Sequence, residues 1–262
     1  MTMLFAPVLQ DVAARMAGVV PTSGDPVQQA YRLRDAVELV RPDWVVTHHD
    51  PDAEAAAARS AGSEVELVDV TLAGRPPVSG LVEVVRILTK LFPDTIVAAS
   101  LTGPAALAAS LATDDGDADL LDCGDVLAEL VSAYVGAGAR RIIVWETDVP
   151  DENATEVARS HVSIVRRLEM LGVPGVLCGG PVVDSTGYAA HALGVDGRGA
   201  LLAPGSAFAR GAVECVGELW QRWTATDVEP PRLVLTDGPV PGDCDLGLLS
   251  SVSGRRTQGI RP

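Results

Sequence analysis

The stretch from Asp94 to Leu111, DTIVAASLTGPAALAASL, constrains what this chain can fold into more than any other. The β-branched run Thr95-Ile96-Val97 passes into small residues, then a Gly103-Pro104 break, then alanines and leucines at helical spacing. A buried strand that turns directly into a helix is a βα unit. Pro104 suits the first helical turn, where its missing N–H would lack a partner anyway, and Thr102 or Gly103 can sit at the cap.

The same unit recurs along the chain. Met3–Leu9 reads as a strand followed by a helix through Met16. Asp25 caps a helix from Pro26 whose apolar face is Val27, Ala30, Leu33, Val37 and Val40, and Pro42 ends it. Asp43–Thr47 is a short strand, and Pro51 opens an alanine-rich helix to Ala61. Glu64–Val70 alternates in strand fashion and, with the turn Gly74-Arg75-Pro76-Pro77, reads as a hairpin outside the main sheet. A helix over Gly80–Leu91 then feeds the Asp94–Leu111 unit. The remaining elements expected are a helix Val126–Val135, a strand Arg141–Trp145, one long helix Asn153–Leu171 and a strand Gly175–Cys178. A weak helix around Tyr188–Leu193 follows, then a strand Ala200–Leu202, a helix from Gly205-Ser206 to Trp223, and a last strand Arg232–Leu235. Alternation without a composition break makes residues 1–262 one α/β domain with parallel strands. Seven or so strands approach the eight of a (β/α)8 TIM-type barrel. An open doubly wound sheet competes, but no GxGxxG follows the first strand to support a dinucleotide fold. In either architecture the chemistry belongs at the strand C-termini.

A net charge of −15 argues against nucleic acid or an anionic membrane as partner, since both need clustered Lys and Arg. No apolar run reaches the roughly 18–20 residues that cross a bilayer. The first residues lack the basic region of a signal peptide. The four cysteines show no CxxC spacing, so a reduced, cytoplasmic protein is expected.

His48, His49, Asp50 and Asp52 form the densest polar cluster, at the C-terminal end of the Asp43–Thr47 strand. Imidazole beside a carboxylate suits general acid–base work or a metal, and the competing structural role is Asp50 capping the helix at Pro51. Glu146 and Asp148 end the Arg141–Trp145 strand two residues apart, where they could share a proton or a metal. Asp148 can instead cap the helix near Asn153, which leaves Glu146 without a structural task. Cys178 is a ligand or nucleophile, or a small core residue. Cys123 and Cys215 sit on helical patterns, His191 suits a structural role, and His161 is expected mid-helix and exposed.

Several stretches, in order, resemble the superfamily of uroporphyrinogen decarboxylase, cobalamin-independent methionine synthase and the corrinoid-dependent methyltransferases. LTGPAALA (Leu101–Ala108) is similar to its strand-Gly-Pro-Thr-Leu-Ala turn, DPVQQAYRLRDAVELVRPDWVV (Asp25–Val46) to its second helix and strand, and GAGARRIIVWE (Gly136–Glu146) to a later strand ending in an acidic residue. LVLTDGPVPGDCDLGLL (Leu233–Leu249) resembles the closing strand and tail. The resemblance implies the TIM-type barrel. Family members are longer, and the short span between Cys178 and Gln221 implies a shortened or irregular barrel with one βα unit compressed or missing around Asp196–Leu202.

Residue by residue, the resemblance to the decarboxylase puts Arg15 in place of one of its arginines, Asp50 near its aspartate, Ser110 in place of its tyrosine and Asp237 in place of its late histidine. One candidate arginine on so acidic a chain suits a porphyrinogen poorly. The methyltransferase branch implies zinc on a His-x-Cys pair plus a further cysteine. Here Cys178 holds the Cys position, Val176 stands at the His position, and Cys244 and Asp237 complete a set only if the fold gathers them.

The resulting expectation is an enzyme acting on a small organic carboxylate by metal-free decarboxylation or proton transfer. His49 and Asp50 supply acid–base function, Glu146 and Asp237 position or polarise the substrate, and His48, Arg15, Thr102 and Asp148 bind it. No cofactor is expected, and the apolar helices make a homodimer plausible. The rival readings are methyl transfer at zinc bound by Cys178, and a catalytically inactive barrel serving as a binding subunit.

Overall fold

The computed structural model describes residues 4–21, 25–62, 65–112, 118–147, 153–180, 187–193, 199–210 and 233–254. Its eight strands are β1 (Leu4–Val8), β2 (Trp44–Val46), β3 (Ile96–Thr102), β4 (Arg141–Trp145), β5 (Gly175–Cys178), β6 (Ala190–Leu193), β7 (Gly199–Ala203) and β8 (Leu233–Pro239). All ladders are parallel, in the order β1-β8-β7-β6-β5-β4-β3-β2, and helices flank the sheet. This is a nearly closed (β/α)8 TIM-type barrel. The competing open doubly wound sheet is excluded, because β1 returns to face β2. Asp43 carries that closure: its N–H donates to the Phe5 carbonyl at 2.8 Å, and the Phe5 N–H donates to its carboxylate at 2.6 Å. A side chain here stands in for a ladder rung, so Asp43→Ala should lower the urea unfolding free energy by about 1–2 kcal/mol, with Asp43→Asn losing less.

Why strands form here follows from two apolar faces. Ala6, Val8, Trp44, Val46, Ala98, Ile143 and Val176 fill the barrel interior, while the alternate residues Phe5, Val45, Val97, Ile142, Val144 and Leu177 face the helices. Such doubly buried strands belong to parallel sheets with both faces covered. The helices are α1 (Gln10–Ala17), α2 (Pro26–Val40), α3 (Ala53–Arg59), α4 (Val78–Leu91), α5 (Pro104–Leu111), α6 (Leu120–Gly136), α7 (Ala154–Ser160), α8 (Val162–Leu171) and α9 (Leu246–Gly254). In α2 the Asp25 carboxylate accepts from the Gln28 N–H at 2.8 Å, Pro26 opens the helix, and Arg41 ends it in the left-handed region at φ 55°. The α6 and α7 backbones touch at Gly124, where a Cβ would stand 2.0 Å from the Ser160 carbonyl oxygen. None of the described helices is long and apolar enough to cross a membrane.

Four expectations need correction. The hairpin around Glu64–Val70 is instead a pair of 3-10 turns, Leu67–Asp69 and Leu72–Gly74, because its apolar residues pack under α4 and α6 rather than pairing with a strand. Tyr188–Leu193 contains strand β6, and its span between β5 and β7 completes the sheet. The single helix to Leu171 is two helices meeting at His161. At Gly205 the chain makes a 3-10 turn to Phe208, and the rest of the expected helix to Trp223 lies outside the described residues. The shortening takes no strand away. β6 and β7 pair in parallel, and the compression falls in the sequence between them.

Candidate active site

The barrel's C-terminal mouth is set by where β2 stops. Its last rung is the Thr47 N–H donating to the Ala98 carbonyl at 3.0 Å, after which the chain leaves the sheet and the two histidines diverge. The His48 ring is buried, with Nδ1 2.8 Å from Thr47 Oγ1 and Nε2 3.4 Å from the Tyr134 hydroxyl. Burial pushes its pKa down to about 3, so the ring stays neutral.

His49 is half-buried and opens to the mouth. The Gln10 amide clamps its backbone from both sides: the His49 N–H donates to Oε1 at 2.8 Å, and Nε2 donates to the His49 carbonyl at 2.9 Å. Its ring meets the Trp145 indole edge-on at 4.6 Å. Burial lowers its pKa, and the charges of Asp50, Asp237 and Asp11 oppose that shift. Asp50 is half-buried and accepts from the Asp52 N–H at 3.1 Å, closing the turn before α3, while Asp52 makes no cap bond of its own. Asp237 is exposed at the end of β8 and accepts from the Gly205 N–H at 2.8 Å.

Two cavities meet at His49. The mouth cavity, about 390 Å³, is lined by His49, Thr102, Trp145, Cys178 and Asp237 among others. A lateral cavity of about 660 Å³ runs outward from His49 and Asp50 between α1, α2 and α4.

Glu146, expected to lack a structural task, has four donors. Its Oε2 accepts from the Ala105 N–H and His161 Nε2, both at 3.0 Å, and Oε1 accepts from the Ala106 and Thr147 N–H groups, both at 2.8 Å. A carboxylate so placed satisfies the first N–H groups of α5 and complements its dipole. Gly103 makes the room, since a Cβ there would stand 2.4 Å from Glu146 Oε2. His161 is correspondingly buried rather than exposed, its Nδ1 2.9 Å from the Tyr188 hydroxyl. The helix break at His161 lies at this contact.

Arg15 is exposed in the last turn of α1 and lines neither cavity, so the fold does not bring it to the mouth. Asp148 lies outside the described residues. His191 is buried with Nε2 2.7 Å from the Gly179 carbonyl. Cys178 reaches the mouth, but its thiol is buried and pushed up by desolvation, which keeps it protonated. Cys244 packs in a different cluster, beneath α9, and Val176 points its methyls into the barrel core. Among the described residues no three His, Cys, Asp or Glu side chains converge as metal ligands. The residues present therefore do not fit the zinc site that the methyltransferase branch implies.

The residue that sequence reading missed is Glu54. It lies in the first turn of α3, 1% exposed, where Oε2 accepts from Thr102 Oγ1 and Oε1 has no partner among the described residues. Burial raises its pKa to about 7. Its signal was a lone acid within the alanine run AEAAAA, a helix buried on most sides. Gln10 and Trp145 were missed as well, because nothing local marks a glutamine or a tryptophan as facing His49.

Neither a family profile nor a curated protein matches the sequence. Solved structures do match the fold. A methyltransferase from Methanosarcina mazei shares 12% identity over 98% of this chain and 94% of its own, with a TM-score of 0.73. A B12-independent methionine synthase from Shewanella sp. W3-18-1 shares 14% identity over 68% of this chain and 66% of its own, with a TM-score of 0.48. The barrel implied by the resemblance to the uroporphyrinogen decarboxylase and methionine synthase superfamily is thus the barrel this chain has, shared nearly end to end with the Methanosarcina methyltransferase.

Proposed function

We propose that this protein is an enzyme performing metal-free acid–base chemistry, decarboxylation or proton transfer, on a small organic carboxylate at the mouth of its barrel, with His49 as the acid–base group. The observation that carries the reading is that His49 alone among the four histidines is not buried, and it stands where two cavities join. Its ring, held below the ordinary histidine range, is a neutral base at pH 7. When it takes a proton, Asp50 and Asp237 stabilise the imidazolium. In a decarboxylation the C–CO2 bond breaks with its electron pair left on a carbon that the substrate's own conjugation stabilises. The decarboxylation draws on the protonated ring: His49, having taken its proton from solvent, delivers it to that carbon and is left neutral, whereas in proton transfer the neutral ring takes the proton from the substrate carbon and returns it. Gln10 fixes the backbone under the ring, and the Trp145 indole packs edge-on against the ring.

The same reading takes a small molecule as partner rather than nucleic acid or membrane, a homodimer as assembly, and the reducing cytoplasm as location. Cys123, Cys178 and Cys244 are unpaired, in keeping with that location. The second reading is methyl transfer, favoured by the fold shared with the Methanosarcina methyltransferase. Its zinc-thiolate form is not supported, because the ligand set does not assemble among the described residues.

The test is turnover of a panel of β-keto and malonate-type acids, followed by CO2 release and by deuterium uptake from D2O. His49→Ala is expected to lower kcat/KM by about two orders of magnitude with thermal stability retained. Deuterium uptake by the wild type should be flat above about pH 6.5 and fall on the acid side as His49 becomes protonated, whereas CO2 release, which needs the protonated ring, should fall as pH rises through the same range. Turnover that survives His49→Ala, or that no acid of the panel undergoes, would overturn the reading.

A further inference from the structure

We propose that the lateral cavity holds the body of the substrate, an elongated organic acid whose anionic tail pairs with Arg32 and Gln29 and whose apolar middle lies between α1, α2 and α4. The inference rests on the acid–base reading of His49 and says what His49 acts upon. Its first support is size: about 660 Å³ is the volume of a small-molecule site and exceeds the mouth cavity, so a substrate reaching His49 has more room sideways than down the barrel. The second is lining. Ala14, Leu33, Leu81 and Val84 form an apolar wall, and the barrel interior offers no such space, because its side chains fill it.

The third support is the distribution of charge. Arg32, which also donates to Gln28 Oε1 at 3.0 Å, is the single Lys or Arg among the described lining residues of this cavity, on a chain of net charge −15, and Gln29 precedes it by one helical turn on the same face of α2. The other charged end is Asp50, beside His49. A carboxylate is repelled at Asp50 and attracted at Arg32, which fixes the polarity of an elongated acid and leaves an uncharged end at His49, where the reaction is the proton transfer of the two proposed above rather than loss of that carboxylate. Gly80 keeps the approach of α4 to α2 close, since a Cβ there would stand 3.3 Å from the Pro26 ring, and Ser79 beside it is half-buried in the wall.

Calorimetric binding of linear saturated carboxylates to the full-length protein tests this without turnover. Octanoate should bind saturably, with affinity rising about threefold to fourfold for each methylene from butanoate to octanoate. Octanol and octylammonium should bind at least tenfold more weakly than octanoate. Arg32→Leu should weaken octanoate at least tenfold with Arg32→Lys recovering part of it, and Ser79→Phe should abolish binding by filling the wall. No saturable octanoate binding, equal binding of octanol or octylammonium, or affinity indifferent to both Arg32→Leu and Ser79→Phe would each overturn the proposal. His49→Ala should weaken octanoate by a fewfold at most, through the apolar contact it removes at the far end, against the tenfold or more of Arg32→Leu. Intact octanoate binding with turnover that survives His49→Ala therefore sinks the acid–base reading alone, and lost octanoate binding with turnover that depends on His49 sinks the groove alone.

Discussion

Glu146→Ala is expected to cost the fold about 3–5 kcal/mol, the largest effect of any single substitution at the mouth. The carboxylate accepts from two α5 N–H groups, from the Thr147 N–H and from His161; the bonds from Ala105 and His161 are buried and those from Ala106 and Thr147 half-buried. Alanine leaves those donors unsatisfied and removes the anion from the α5 N-terminus. Glu146→Gln should lose less, since its carbonyl oxygen still accepts while its NH2 group opposes the remaining donors. Urea unfolding reads the difference as a lower midpoint at unchanged slope. Gly103→Ala approaches the same contact from the other side, because its Cβ would collide with the carboxylate. In a double-mutant cycle the two should be strongly non-additive: once Glu146 is truncated, the methyl at position 103 meets empty space. Additive losses would show that the Glu146 contacts do not hold α5.

Glu54→Gln should stabilise the protein above neutral pH while leaving it nearly unchanged in acid. The Glu54 carboxyl titrates near 4.5 when unfolded and at about 7 when folded, because burial disfavours its charged form more than its hydrogen bonds with Thr102 and the Glu54 backbone favour it. With the folded pKa above the unfolded one, the folded state holds the proton more tightly. The stability this contributes is present below pH 4.5 and is lost as pH rises to 7. The displacement corresponds to about 3 kcal/mol, so the gain of Glu54→Gln over wild type should grow by about that amount from pH 4.5 to pH 8. His48 acts in the opposite sense. Its folded pKa of about 3 lies below the unfolded 6.5, so its contribution is complete above pH 6.5 and is lost as pH falls toward 3. Between pH 4.5 and 6.5 the two slopes offset each other in the wild type, and Glu54→Gln should expose the histidine slope of about 1.4 kcal/mol per pH unit. Chemical denaturation of both proteins across this range checks it. A difference between them that does not vary with pH would mean that Glu54 ionises normally in the folded state.

The βα unit at Asp94–Leu111 was legible because each part is signalled within a few residues: β-branched run, Gly-Pro break, alanine helix. The α2 start at Asp25-Pro26 was legible for the same reason. β6 was not, since Ala190-His191-Ala192-Leu193 has no strand composition and becomes a strand by pairing with β5 and β7. The Glu64–Val70 alternation failed in the other direction, with a strand-like pattern and no neighbouring edge to pair with. At the site, His49 and Asp50 were found because four polar residues crowd one strand end. The task of Glu146 was invisible, because three of its four donors, on α5 and at His161, lie far along the chain in both directions. Arg15 entered by resemblance alone, in a segment whose helix carries it away from the mouth.

What the sequence by itself determined is the set of local conformations and the class of fold that they can build. Periodicity, caps and breaks act over a few residues, and seven or so strands alternating with helices in one chain have few ways to bury both strand faces. What only the tertiary structure decided is which polar groups face the mouth and which are consumed inside. Closure through Asp43, the pairing of Glu54 with Thr102, and the capture of Glu146 by α5 and His161 are contacts between distant segments. Whether a buried carboxyl is a structural anion, a proton holder or a free base depends on the donors and the dielectric around it, and those are set by the residues that folding brings near.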